Sequence, residues 1–203
     1  MRTLVLASQS PRRRELLERA GFLFSVHPIQ ISEIPNKNLS LPRQIEDLAR
    51  QKAEALVEAD KYMKSRNILG DILILSADTL VILDGEVLGK PKDLKQSYEF
   101  MNRLSGRKHS VITAICLLDL VESKTVLAHE QAFVTFHKLT DAQISRYVES
   151  GDGLDKAGAY GIQPLADSTP LLLDFESDSN LPLAWGSNSD NFVVATFPSS
   201  YFG

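Results

Sequence analysis

Leu4-Val5-Leu6-Ala7-Ser8-Gln9-Ser10-Pro11-Arg12-Arg13-Arg14-Glu15-Leu16-Leu17 is the stretch on which the reading of this chain turns. Leu4 to Ala7 is a short apolar run of the kind that fills a buried strand. Ser10 is a residue type that caps helices, and Pro11 suits the first helical position, where a missing N–H costs nothing. A strand, a tight loop and a helix are therefore expected in that order. The positive end of a helix dipole disfavours each first-turn cation by ~0.3–1 kcal/mol, yet three arginines stand there. An anion would offset that cost. Free backbone N–H groups, the hydroxyls of Ser8 and Ser10 and the guanidinium forks of Arg12 and Arg13 all donate, which is what phosphate oxygens require. Arg14 reads as a solvated surface charge, and Glu15 can pair with Arg19 one turn on.

A chain of 203 residues is long enough for a core without disulfides or structural metal, as one large domain or two small lobes, with a single α/β unit from 1 to 203 as the expectation. Hydrophobic residues make up 43% and charged residues 24%, and no apolar run approaches the ~20 residues of a membrane span. Met1-Arg2-Thr3 leads straight into the first strand with no secretory h-region, so a cytoplasmic location is expected. The single cysteine, Cys116, sits in the apolar run Val111 to Leu118 and reads as a small buried side chain rather than a nucleophile. A net charge of −4 and a pI of about 5.6 argue against broad binding to nucleic acid or anionic membranes. Basic groups must act locally.

The first helix places Leu16, Leu17 and Ala20 on one face and stops at Gly21, after which Phe22 to Val26 resumes as a strand. Ser32 to Asn38 is a polar loop. Pro42 opens a helix whose apolar stripe is Ile45, Leu48, Ala49, Lys52, Ala53 and Leu56. Lys52, inside that stripe, either snorkels to water or serves a phosphate beside an anion site. Ile72 to Leu83 suits a strand buried on both faces. Asp78 interrupts it, and an ionised carboxylate there must face a cleft, a metal or a cation, a structural salt bridge being the plainest form. Asp84-Gly85 makes a two-residue hairpin that pairs Leu83 with Glu86 and would bring Lys90 opposite Thr79. Strict alternation puts Lys90 on the Thr79 face, and a bulge at Gly89 would put it on the Asp78 face.

A helix from Gln96 to Leu104, strands from His109 to Leu118 and Val126 to Phe136, and a Thr140-capped helix from Asp141 to Ser150 complete an α/β or mixed α+β pattern. Asp155-Lys156-Ala157-Gly158-Ala159-Tyr160-Gly161-Ile162-Gln163 is the second informative motif. Its small residues permit a ligand or another backbone to come close. Lys156 supplies a cation and Gln163 an amide that donates and accepts together, a pair suited to a nucleotide.

Ala7-Ser8-Gln9-Ser10-Pro11-Arg12-Arg13, Ala77-Asp78-Thr79, Gly89-Lys90-Pro91, Leu104-Ser105-Gly106 and Lys156 through Gln163 follow one another as in the Maf family, which the chain resembles from about Leu4 to Gln163. Members of that family are nucleoside triphosphate pyrophosphatases. The resemblance implies a cytoplasmic homodimer of two-lobed subunits built on an elongated, twisted mixed sheet with a central active-site cleft, akin to inosine triphosphate pyrophosphatases. It implies that Asp78 is the catalytic acid group, that Ser8, Ser10, Arg12, Arg13, Glu33, Lys52, Lys90 and Lys156 border the nucleotide, and that a divalent ion, magnesium or manganese, is required. In the reaction so implied, Asp78 and Glu33 hold the metal, and Arg13, Lys52, Lys90 and Lys156 neutralise phosphate oxygens. Arg12, Thr79 and Gln163 match the positions that separate subfamilies, and this set implies dTTP and UTP as substrates, with Thr79 and Gln163 at the base edge. The nearest alternatives are an inosine or xanthosine triphosphate pyrophosphatase and a non-catalytic nucleotide-binding regulator of cell division. The chain departs from the family at Ser32-Glu33, where Asp-Glu is common, at Thr113-Ala114, where Thr-Gly is commoner, and in its tail. From Asp174 on, dense Ser, Asn and Asp point to partly irregular structure.

Overall fold

The apolar run near the N-terminus forms β1 (Thr3–Leu6), one residue earlier than its pattern predicts. It stands between two parallel partners, β2 (Phe24–Val26) and β3 (Ile72–Leu83), with Leu4 beside Phe24 and Leu6 beside Leu75. The computed structural model describes residues 3–59, 72–161 and 173–176. These fall into two units, one of residues up to Thr79 with Thr113–His129, the other of Leu80–Ile112 and the described residues from Glu130 on. The described strands form one mixed sheet in the order β2-β1-β3-β5-β6-β7, with β4 also on β3.

In the first unit, α1 (Pro11–Arg19) leads from β1 to β2, and α2 (Leu41–Ala59) lies between β2 and β3 in sequence. The chain thus leaves β1 on one side and returns on the other, which makes the carboxyl end of β1 a topological switch point. Parallel crossovers keep one hand, so two that run in opposite directions put their helices on opposite faces. The Ala7 N–H donates to the Leu75 carbonyl at 2.8 Å, and beyond that bond β3 runs on past the end of β1. The predicted stripe of α2 is buried at Ile45, Leu48, Ala49, Ala53 and Leu56 and packs the core of this unit with Val5, Leu6, Ile72 and Ile74. Each large member contributes ~1.5–3 kcal/mol by leaving water. The Ser76 hydroxyl fastens α2 to β3 by donating to the Ala49 carbonyl at 2.5 Å.

Two features of this unit differ from expectation. Leu16, Leu17 and Ala20 do not form a core face: every residue of α1 is exposed or half-buried, and Leu16 is 60% exposed. The nine-residue helix is anchored through Arg13 near its start, not through an apolar stripe. After it, Gly21 takes φ +78° and the Phe22 N–H turns back to the Leu17 carbonyl, so Phe22 and Leu23 belong to an exposed turn and the strand begins only at Phe24. Glu46, beside the stripe, is buried. Burial pushes its carboxyl up, but hydrogen bonds from His129 Nδ1 and Arg43, each 2.7 Å, outweigh that and hold it below the usual range.

In the second unit, β3 turns through Asp84-Gly85, both at positive φ, into β4 (Glu86–Leu88) in the predicted Leu83–Glu86 register. α3 (Leu94–Leu104) is capped by Asp93, whose carboxylate accepts from the Gln96 N–H at 2.7 Å. α4 (Asp141–Glu149) carries a full capping box between Thr140 and Gln143. Both pack on a cluster that includes Leu88, Met101, Leu104, Phe136, Ile144 and Tyr160. β5 (Lys108–Asp119) and β6 (Lys124–Phe136) have residues in both units. β7 (Leu173–Glu176) pairs antiparallel with the end of β6, so the tail begins as a strand. The remaining residues of the tail lie outside the described residues.

Candidate active site

Successive side chains of a strand point to opposite faces, and at the switch point two neighbours on β3 use this to serve two helices. Asp78 Oδ1 accepts from Lys52 Nζ of α2 at 2.9 Å. Thr79 Oγ1 accepts from Arg13 Nη2 of α1 at 3.3 Å.

On the α2 side, Lys52 also reaches Glu33 Oε1 at 2.9 Å. The two carboxylate oxygens share one ammonium and so lie no farther apart than twice that distance. Lys52 keeps 14% and Asp78 13% of its side-chain surface exposed, so the lysine reaches from the apolar stripe to two acids rather than out to water. Asp78 Oδ2 is buried with no hydrogen-bond partner among the described residues. A buried lone-pair oxygen left unpaired is costly, which marks this atom as a place where something else binds.

On the α1 side, Arg13 is turned inward, donating from Nη1 to Ser8 Oγ at 3.2 Å and to the Ala77 carbonyl at 2.8 Å. Burial pushes its guanidinium below the ordinary arginine value, while Asp78 and Glu33 pull it up and Arg12 pushes it down. Ser8 Oγ also accepts from the Ser10 N–H at 3.2 Å. Ser10 occupies the N-cap position with extended backbone, but its hydroxyl makes no capping bond. The first-turn N–H groups of α1, which have no intrahelical acceptor, therefore remain available to an anion. Arg12 is half-buried beside them, and Arg14 pairs with Glu18 at 2.8 Å on the surface, as a solvated charge should.

Two supporting residues were given no role by the sequence. Gln51 Nε2 donates to the Ile34 carbonyl at 3.1 Å and to Asp47 Oδ2 at 2.8 Å, tying the loop of Glu33 to α2. Thr113 Oγ1 lies 3.0 Å from Thr79 Oγ1. Neither carries a local signal, since their partners are 17 and 34 residues away.

The family model for Maf-like proteins matches residues 3–169. The chain belongs to the Maf family. The dTTP/UTP pyrophosphatase of Bdellovibrio bacteriovorus is 47% identical over 160 residues, covering 79% of this chain and 81% of that relative. That of Ruminiclostridium cellulolyticum is 44% identical over 164 residues, 80% of each chain. That of Bacillus pumilus is 41% identical over 163 residues, again 80% of each.

The first unit of this Maf chain thus brings together Ser8, Arg13 and Thr79 in one network and Glu33, Lys52 and Asp78 in another. Lys90 and Lys156 belong to the second unit. Lys90 is exposed and follows the end of β4, so the ladder does not set its face and the question of a Gly89 bulge does not arise. Lys156 Nζ is held by Asp152 Oδ1 and Asp155 Oδ1, each at 2.9 Å, and by the Asp152 carbonyl. The turn it opens is tight. Gly158 has φ +72°, and a Cβ there would stand 2.9 Å from the Val81 methyls, which is why only glycine fits. Gln163 lies outside the described residues.

Proposed function

We propose that this Maf protein hydrolyses dTTP and UTP between the α and β phosphates, releasing the nucleoside monophosphate and pyrophosphate, with Asp78, Glu33 and Lys52 as its reacting centre. The observation that carries this reading is the placement of two carboxylates on one ammonium at the switch point, beside an uncapped helix start that carries Arg12 and Arg13. The curated relatives' names supply the substrate class. Lys90, Lys156 and Gln163 enter through the family match.

A divalent ion fits these residues. Asp78 Oδ2 is a buried oxygen without a partner among the described residues, Glu33 offers a second carboxylate, and hard oxygen donors suit magnesium or manganese. Among the described residues no cluster of three or more acidic, His or Cys side chains forms a closed cage. Two carboxylates with water and substrate phosphates completing the shell is the usual arrangement for magnesium. Held by Asp78 and Glu33, the ion would supply charge neutralisation and a more acidic bound water. Asp78, through a carboxylate oxygen, orients the attacking water and accepts its proton. Lys52 keeps the two acids from repelling each other and offsets charge gathering on the phosphate. Arg13 acts indirectly, fixing the Ser8 loop against Ala77 and Thr79 of β3, while the α1 N–H groups and Arg12 face phosphate oxygens.

A homodimer is supported by Leu16, Phe22 and Leu23, exposed together at α1 and the turn after it, which a second copy would cover. A cytoplasmic location suits a free-nucleotide substrate, and no described helix is long and apolar enough to cross a membrane. The function is tested by product analysis over a panel of triphosphates with magnesium. Pyrophosphate and monophosphate from UTP and dTTP in preference to ITP and purine triphosphates are expected. Orthophosphate release, or a preference for ITP, refutes the reading.

A further inference from the structure

Arg13 can only donate hydrogen bonds, so Thr79 Oγ1 must accept in its contact with Arg13. Its Nη2 donates to Thr79 Oγ1 at 3.3 Å, and Thr79 Oγ1 lies 3.0 Å from Thr113 Oγ1. A hydroxyl that accepts from a cation becomes a stronger donor, so the favoured order is head to tail: Arg13 to Thr79, Thr79 to Thr113. Thr113 then accepts from Thr79 and keeps its own O–H free to donate. Thr113 is an exposed side chain of β5, open to a ligand that reaches Thr79.

We propose that Thr113 is a specificity-determining residue of this enzyme, its hydroxyl donating to the C4 carbonyl of uracil or thymine. This rests on the reading that the base lies at Thr79. Uracil and thymine share a carbonyl at that position, and cytosine carries an amino group there. A chain of hydroxyls started by a guanidinium ends in a donor, which attracts the carbonyl and repels the amino group. The 5-methyl group that separates thymine from uracil has no part in the contact, so both are accepted.

The test compares kcat/KM for UTP and CTP in the wild type, Thr113→Val and Thr113→Ser, using the full chain. Valine keeps the shape and removes the hydroxyl. The UTP-to-CTP ratio falls roughly tenfold or more in Thr113→Val and stays within about twofold of wild type in Thr113→Ser. Because the side chain is exposed, the unfolding midpoint is unchanged in both. A ratio unaltered in Thr113→Val, or equally reduced in Thr113→Ser, overturns the role of Thr113 while leaving the base reading in place. A wild type that does not favour UTP over CTP overturns the base reading itself.

Discussion

Replacing Lys52 with methionine separates its structural from its chemical role. Methionine suits the surrounding stripe, where Ala49 and Ala53 are fully buried, so the stem itself can be replaced without a cavity. The charge cannot. Asp78 would lose the ammonium at 2.9 Å while only 13% of its side chain reaches solvent. Breaking a fully buried pair by removing one partner costs ~3–5 kcal/mol, and the remaining exposure of both groups reduces this to about 2–3 kcal/mol. In a domain of this size that lowers Tm by roughly 4–12 °C. Glu33, 43% exposed, adds little. The double variant Lys52→Met with Asp78→Asn removes the stranded charge, so it recovers at least half of the loss, and urea titration of the wild type, both single variants and the double variant closes the cycle. A Lys52→Met protein as stable as wild type, or a double variant no better than the single, refutes the account of this pair.

Three further outcomes follow from the geometry. Burial lowers the His109 pKa from 6.5 to about 4, so on acidification the unfolded chain takes up this proton first. Stability is complete above pH 6.5 and falls by on the order of 2–3 kcal/mol as the pH drops toward 4. His109→Gln, which can still bond the Tyr160 hydroxyl, should remove that part of the pH dependence in chemical denaturation. Gly158→Ala places a Cβ against Val81 at a positive φ and should cost ~1–3 kcal/mol by the same assay, with no gain from the stiffer unfolded chain. Gln51→Leu releases the Ile34 carbonyl and should raise hydrogen exchange in residues 30–36 and lower kcat, while leaving the exchange of β1 and β3 unchanged.

Periodicity carried much of the first unit and the hairpin. The α2 stripe, the place of Lys52 within it and the pairing of Leu83 with Glu86 are local consequences of 3.6- and 2-residue repeats, and all three are present. Asp78 was legible as a carboxylate that needed a partner, because nothing in a run of Ile, Leu and Val could solvate it. That the partner is Lys52 was not, since only the docking of α2 on β3 brings the two together. Arg13 is the clearest case. A helix start rich in arginine points to an anion, but the acceptors that turn this one inward are Ala77 and Thr79, more than sixty residues on. Leu16 and Leu17 have helical spacing that reads as a core face, and periodicity alone does not say that α1 is held at one end. Glu46 was hidden for a related reason: its partner His129 is 83 residues away.

The central claim is that Asp78 belongs to the chemistry and not only to an ion pair. Asparagine at 78 keeps the volume and one acceptor oxygen but removes the charge. Steady-state pyrophosphate release from UTP by Asp78→Asn, with magnesium saturating and folding checked by circular dichroism, should show kcat reduced at least ~10²-fold. A folded Asp78→Asn enzyme with near-normal kcat would contradict the assignment.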